Sequence, residues 1–208
     1  MNSHNHFIIR LNWVDLITLS GVFTASLAVI AALNQAIYLC ASLLFLAMLG
    51  DALDGLLARK YKLERNFGRY LDGFMDVLIY LVAPCLALYL HGFNGWWAIC
   101  LWPVLLSGCV RLAVFNDIGN IQESNGLAYL GMPVFWSVFI FGAFLWLEIF
   151  IGKTLSYSLL AFSLLLFSYA MVIRRPFFKF KKLWHILLLT LGNSLVFLAV
   201  HFWSIYHA

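Results

Sequence analysis

Charge is what this chain has least of. Asp, Glu, Lys and Arg make up 11% of its 208 residues, while 64% are hydrophobic; a soluble domain carries about a quarter charged residues. So small a polar complement cannot cover a water-facing exterior. That excludes an ordinary soluble globule and leaves lipid as the solvent for most of the surface. Cysteine is sparse too. Cys40, Cys85, Cys100 and Cys109 lie in apolar runs without CxxC spacing, which excludes a zinc or dithiol motif and leaves small core side chains. No internal repeat or low-complexity segment is visible. No small-residue cleavage site ends the first apolar run, so a cleaved leader is not expected.

What is there is apolar sequence in lengths that fit a bilayer. About 20 such residues are needed to cross one. Seven runs qualify, at 14–33, 36–58, 70–91, 95–116, 132–151, 154–173 and 184–206. The expected fold is an all-α polytopic helix bundle, residues 1–208 forming one integral membrane domain. Soft boundaries accommodate six to eight crossings. "NQ" at 34–35, "HGFNG" at 91–95 and "GK" at 152–153 are long enough only for tight hairpins. Longer polar loops remain at 59–69, 117–131 and 174–183.

Lys and Arg sort these loops. With alternating sides, one face receives Arg10, the Arg59–Arg69 cluster, Arg111, Arg174, Arg175, Lys179, Lys181 and Lys182; the other receives Lys153 alone. Twelve of the 13 basic residues therefore share a side. The positive-inside rule makes that side cytoplasmic, with the N terminus inside. The net charge of +4 is then a matter of orientation and attraction to lipid headgroups. A nucleic-acid partner is not expected, because the basic residues are dispersed over loops that flank spans.

Acid is concentrated instead. Five of the nine acidic residues fall between positions 51 and 76: Asp51, Asp54, Glu64, Asp72 and Asp76. Asp51 and Asp54 stand three apart near the end of the second run, Asp72 and Asp76 four apart near the start of the third. Each pair projects from one face of a helix. The short connection makes the helices antiparallel neighbours, so the faces can meet. Carboxylates converging at the membrane edge repel one another and are costly to ionise. A divalent cation removes both penalties, and an all-oxygen donor set favours a hard ion, Mg²⁺, Mn²⁺ or Ca²⁺. One Asp at a span end is commonly a solvated helix terminus; four at two helical spacings is not. Gly55, Ala58 and Gly68 clear bulk beside these carboxylates, either for helix packing or for a flat, phosphorylated ligand. Arg59 is placed to neutralise phosphate in that space.

Asp51-x2-Asp54-Gly55-x2-Ala58-Arg59-x8-Gly68-x3-Asp72-x3-Asp76 resembles, at every fixed position, the signature of the CDP-alcohol phosphatidyltransferases. These are small polytopic enzymes that take a CDP-activated lipid or alcohol, join it to a second alcohol and release CMP. The resemblance implies Mg²⁺ or Mn²⁺ held by Asp51, Asp54, Asp72 and Asp76, with Asp76 also the base that deprotonates the acceptor. It implies Gly55, Ala58, Arg59 and Gly68 around the CDP moiety, membrane lipids as surroundings, and a homodimer. "DLITLSG" at 15–21 resembles the family's first-helix segment, which adds Asp15 and Thr18 to the CDP side. Asp15 also reads as a helix N-cap, and Thr18 as a hydroxyl bonded back within its helix.

"RLAVFN" at 111–116, "YLGMP" at 129–133, "APC" at 83–85 and "IRRPFFKFKK" at 173–182 resemble segments of bacterial and archaeal phosphatidylserine synthases of this family. The implied reaction is phosphatidyl transfer from CDP-diacylglycerol to L-serine, with the active site on the cytoplasmic face of a cell membrane. Arg111, Arg174 and Arg175 are the acceptor-side candidates. Arg111 also reads as a snorkelling anchor, and Arg174 and Arg175 as orientation charges. Gly-Phe-Met between Asp72 and Asp76 departs from the synthases' Ser-Leu-Ala. "LDGFMDVLIYLVAP" and "GMPVFW" resemble bacterial phosphatidylcholine synthases, so choline or another small alcohol is the alternative acceptor. From a different class, a cation transporter also places carboxylates at membrane depth. A metal-dependent release of CMP separates the two.

The charge asymmetry is directly testable. In a variant lacking the four native cysteines, a cysteine at Lys62 should react with an impermeant thiol reagent only from the cytoplasmic side. One at Lys153 should react only from the other. Labelling of position 62 from outside would reverse the orientation.

Overall fold

The computed structural model describes residues 8–119, 121–123, 126–177 and 183–207. The tail bearing His4 and His6, and Lys179, Lys181 and Lys182, lie outside the described residues. Helix α1 runs Trp13–Leu33 and α2 Ile37–Lys60. The third rod begins as α3, Asn66–Asp76, winds through a π-helical segment at Val77–Val82 and continues as α4, Ala83–Leu90. A 3₁₀ segment at Gly95–Cys100 leads into α5, Leu101–Ile118. Strands β1, Ile121–Glu123, and β2, Gly126–Leu130, precede α6, Trp136–Ile151. Helix α7, Lys153–Val172, strand β3, Pro176–Phe177, and α8, Leu183–Tyr206, complete the order.

The chain is an all-α polytopic bundle. Among the described residues six helical rods are long and apolar enough to cross a membrane, and α6 is a shorter apolar helix. The expected run at 132–151 is therefore only partly helical, because Gly131–Phe135 is spent on a turn. The connection expected at 59–69 shrinks to 61–65, since α2 continues to Lys60 and α3 starts at Asn66. The small three-stranded sheet, order β1-β2-β3, was not expected from hydropathy. Its strands are too short for a period-2 pattern to register.

Helix packing follows residue size. Gly21, Ala25, Ala28 and Ala32 recur at steps of four, three and four along α1, all buried. Cys40, Ala41 and Ala47 are buried on α2. Small side chains let backbones approach, which is where close packing between membrane helices gains most. Larger residues interlock elsewhere: Phe45 stacks on Phe197 of α8, and Gly142 of α6 leaves room for the Phe45 ring, 3.1 Å from where a Cβ would stand. The Ser42 hydroxyl donates to the Ser194 carbonyl at 2.8 Å, tying α8 to α2.

One bundle end is tied together in detail. Asn12 and Asp15 form a reciprocal capping box at the start of α1. Arg65, at the start of α3, donates to Asp15 and to the Arg10 carbonyl. Trp13 meets Tyr61 edge to face at 5.2 Å. At the same end β2 pairs with β3, Tyr129 opposite Phe177 and Leu130 opposite Pro176. Gly131 then turns the chain into α6 with its N–H on the Arg175 carbonyl at 2.9 Å.

Gly131 has φ +73°, and a Cβ there would run into the Met171 carbonyl oxygen. Gly131→Ala therefore adds a clash to the roughly 1–2 kcal/mol of a left-handed conformation. Gly152 also has a positive φ, +78°, but nothing within 4 Å of a built Cβ. In detergent, Gly131→Ala should lower the unfolding midpoint clearly more than Gly152→Ala. Equal losses would show that the Gly131 turn tolerates a side chain.

Candidate active site

The two acidic helix ends meet as their spacing demands. Asp72 and Asp76 on α3, and Tyr80 one further step of four along, line one cavity together with Asp51 of α2. One carboxylate oxygen from each of Asp51, Asp72 and Asp76 lies within 4.8 Å of the others. Two oxygens bound to one hard cation at about 2.0–2.6 Å each stand at most about 5 Å apart, so this trio fits one such ion. Three carboxylates so close in an apolar surround need a cation or shared protons between them.

Asp54 stands apart from that trio. It is 3% exposed, its Oδ2 has no partner among the described residues, and Thr18 of α1 lies beside its carboxylate. An orphaned, buried carboxylate oxygen is costly. It is a further donor for a cation arriving at this end.

Two cavities share the acids. The inner one, about 200 Å³, holds Asp51, Asp72, Asp76 and Arg111, with Tyr80, Phe115, Tyr129 and Phe135 as aromatic wall. The outer one, about 360 Å³, is lined by Asp15, Thr18, Asp54, Gly55, Ala58 and Gly68, together with Arg65. Gly55, Arg59, Asp72 and Phe115 border both. Arg59 thus stands at the junction, its guanidinium 3.6 Å from the position of a Cβ on Gly55. The two readings of Asp15 coexist. It completes the α1 capping box, and its Oδ1 lies 3.7 Å from a Cβ built on Gly68. Thr18 likewise bonds back to the Val14 carbonyl at 3.3 Å while lining the cavity.

Arg111 does not reach for the membrane surface. It is 5% exposed, with its guanidinium carbon 4.8 Å from the Phe115 ring centre and 5.4 Å from that of Tyr129. Its Nε has no partner among the described residues. Burial pushes the Tyr129 phenol, in β2, up to about 12, so it stays a neutral donor. Arg174 and Arg175 line neither cavity; both are exposed beside β3, and Arg175 contributes its carbonyl to the Gly131 turn. Gly73, in the Gly-Phe-Met interval, is explained by packing. The Asn116 amide of "RLAVFN" occupies the place a Cβ would take.

Tyr80, Tyr129, Phe115, Phe135 and Arg65 border the cavities without having been singled out from sequence. Tyr80 had a readable signal, one helical turn beyond Asp76. The others are aromatic residues in a chain that is 17% aromatic, or one of a dozen basic residues on the same side, and only tertiary contact distinguishes them.

Residues 11–207 match the family described as CDP-alcohol phosphatidyltransferase. The chain is 31% identical over 137 residues to a phosphatidylcholine synthase of Rhizobium johnstonii, covering 63% of this chain and 54% of that one. It is 32% identical over 124 residues to a CDP-diacylglycerol–serine O-phosphatidyltransferase of Bacillus subtilis, covering 57% and 67%. It is 39% identical over 133 residues to a phosphatidylcholine synthase of Pseudomonas aeruginosa, covering 60% and 53%. The chain spans about half the length of the phosphatidylcholine synthases it matches.

The acid trio should show itself as a binding site without any assay of turnover. A ligand that binds only the folded state raises its stability. Mn²⁺ should therefore raise the unfolding midpoint of the purified protein, EDTA should reverse the rise, and Asp72→Asn should remove most of it. The same rise in Asp72→Asn would place the ion elsewhere.

Proposed function

As the chain belongs to the CDP-alcohol phosphatidyltransferase family, we propose that it transfers a phosphatidyl group from CDP-diacylglycerol to L-serine, forming phosphatidylserine and CMP. The observation that carries this reading is that the two cavities share a border at Arg59 and Asp72. A nucleotide in the outer cavity puts its diphosphate at that junction, and an acceptor in the inner cavity meets it from the far side.

Each residue has a part in that arrangement. Gly55, Ala58 and Gly68 leave the outer cavity open for the nucleoside, with Asp15 and Thr18 also lining it. Arg59 neutralises diphosphate charge. Asp51, Asp72 and Asp76, with Asp54 behind them, hold Mg²⁺ or Mn²⁺, which makes the phosphorus more electrophilic and stabilises the departing phosphate of CMP. An alcohol is a poor nucleophile near neutral pH, so Asp76, buried and facing the inner cavity, takes the hydroxyl proton as oxygen attacks the phosphorus. The new P–O bond forms as the bond to CMP breaks. Arg111 supplies a fixed cation for the serine carboxylate, and its unpartnered Nε supports that role. Arg175 accepts a hydrogen bond from the Gly131 turn through its carbonyl, so Arg174 and Arg175 stand near enough in space to add positive charge at the mouth.

One observation favours choline as a second reading. Phe115, Tyr129, Phe135 and Tyr80 surround the inner cavity, and aromatic faces suit a quaternary ammonium. Against it, the Arg111 guanidinium already covers the Phe115 and Tyr129 rings. The basic asymmetry of the loops supports an active site facing the cytoplasm of a bacterial or archaeal cell membrane. The family resemblance supports a homodimer.

CMP release from CDP-diacylglycerol, with serine, choline, inositol and glycerol 3-phosphate in competition, tests the reading. Serine should be incorporated preferentially. Asp76→Asn should lower kcat far more than it weakens CDP-lipid binding. Arg111→Ala should raise the serine KM tenfold or more, at least about 1.4 kcal/mol. Preferential use of choline would select the second reading, and a phosphorylated acceptor would recast Arg111 as a phosphate ligand.

A further inference from the structure

The third rod contains a proline where an α-helix would need an N–H. In regular α-winding, residue 84 donates to the carbonyl of residue 80, but position 84 is Pro84, which has no donor and whose ring crowds that carbonyl. The chain answers with wider winding. Val77–Val82 is π-helical, and the Ala83 N–H reaches back five residues to the Leu78 carbonyl. The Tyr80 carbonyl that Pro84 cannot serve accepts instead from the Ser137 hydroxyl of α6. A buried carbonyl left without a partner would be destabilising, so Ser137 and Pro84 together define where Tyr80 stands.

At the other end of the same residue, the Tyr80 side chain enters the acidic cluster. Tyr80 is 2% exposed, and its hydroxyl donates to Asp51 Oδ2 at 2.6 Å. Asp51 belongs to α2, so this bond crosses from one acidic helix to the other. Asp51 is half-buried where Asp54 is buried, and no other hydrogen bond between Asp51 and a non-acidic side chain is found among the described residues. Tyr80 holds Asp51 by Oδ2, and an Asp51 carboxylate oxygen lies within 4.8 Å of oxygens of Asp72 and Asp76. π-Helical turns recur at functional sites because they reset the direction of one side chain, and here the reset side chain is the one that grips Asp51.

We propose that Tyr80 is a positioning residue of the metal site: its hydroxyl orients Asp51 as a ligand, and the Pro84–π-turn–Ser137 unit holds Tyr80 in register. The inference rests on the proposed metal-dependent function and adds a residue outside the aspartate signature. A partner that orients a metal ligand is commonly worth 10–100-fold in metal affinity. Tyr80 acts through Asp51 and does not touch the reacting atoms.

Tyr80→Phe removes the hydroxyl and keeps the ring, so the core packing survives. Mn²⁺ binding to the purified protein is followed by the electron paramagnetic resonance of free Mn²⁺, and stability is measured in EDTA. Tyr80→Phe should raise the Mn²⁺ Kd about tenfold or more, with an unfolding midpoint in EDTA equal to wild type. Ser137→Ala should raise the Kd in the wild-type background and add nothing in Tyr80→Phe, the non-additivity expected of residues acting through one another. An unchanged Kd in Tyr80→Phe, or independent effects of the two substitutions, would overturn the positioning role while leaving the transferase reading intact. A wild-type protein that binds no Mn²⁺ would reject the metal site itself, and the inference with it.

Discussion

Carboxylates brought within 4.8 Å of one another at the end of a lipid-immersed bundle impose a constraint that the neighbouring structure has to meet. Water is scarce there, ionisation is expensive and mutual repulsion adds to the cost. Each nearby polar residue answers part of that demand. Arg59 stands at the rim of both cavities, Arg111 is buried on the far side of Asp76, and Tyr80 donates to Asp51. A divalent ion held by the trio would answer the rest, the part it has in the proposed function.

The bundle is arranged so that this crowding can exist. Small residues along α1 let α2 and the third rod approach, with Gly21 packed 3.3 Å from Ile79 as judged by a built Cβ. Gly73 admits Asn116, which draws α5 and its Arg111 onto the acidic face. Strand β2, paired with β3 and followed by the Gly131 turn, brings Tyr129 against Arg111. Helices alone would leave the mouth of the inner cavity without that wall.

The proposed function draws on the two cavities having one shared border. A substrate with a charged middle and two dissimilar ends suits a site with a polar outer chamber, a cationic and acidic junction, and an aromatic inner chamber. A transfer reaction needs donor and acceptor on opposite sides of the phosphorus, and in the proposed reading the two cavities, which share Gly55, Arg59, Asp72 and Phe115, take one each.

How much of this was legible depends on whether the cause was local. Hydropathy and length sufficed for the spans, because a membrane-crossing helix satisfies its own backbone hydrogen bonds and needs only apolar side chains. The pairs Asp51–Asp54 and Asp72–Asp76 were legible for the same reason: helical periodicity fixes their faces, and a short connection forces those faces together. Tertiary structure alone decided the separation of Asp54 from the trio, the burial of Arg111 beneath Phe115 and Tyr129, and the peripheral place of Arg174 and Arg175. It also decided the bond of Tyr80 to Asp51, and the bond from Ser137, on a helix more than fifty residues away, to the Tyr80 carbonyl. Such contacts join segments distant in sequence, so no local period encodes them; they exist only once the helices have packed.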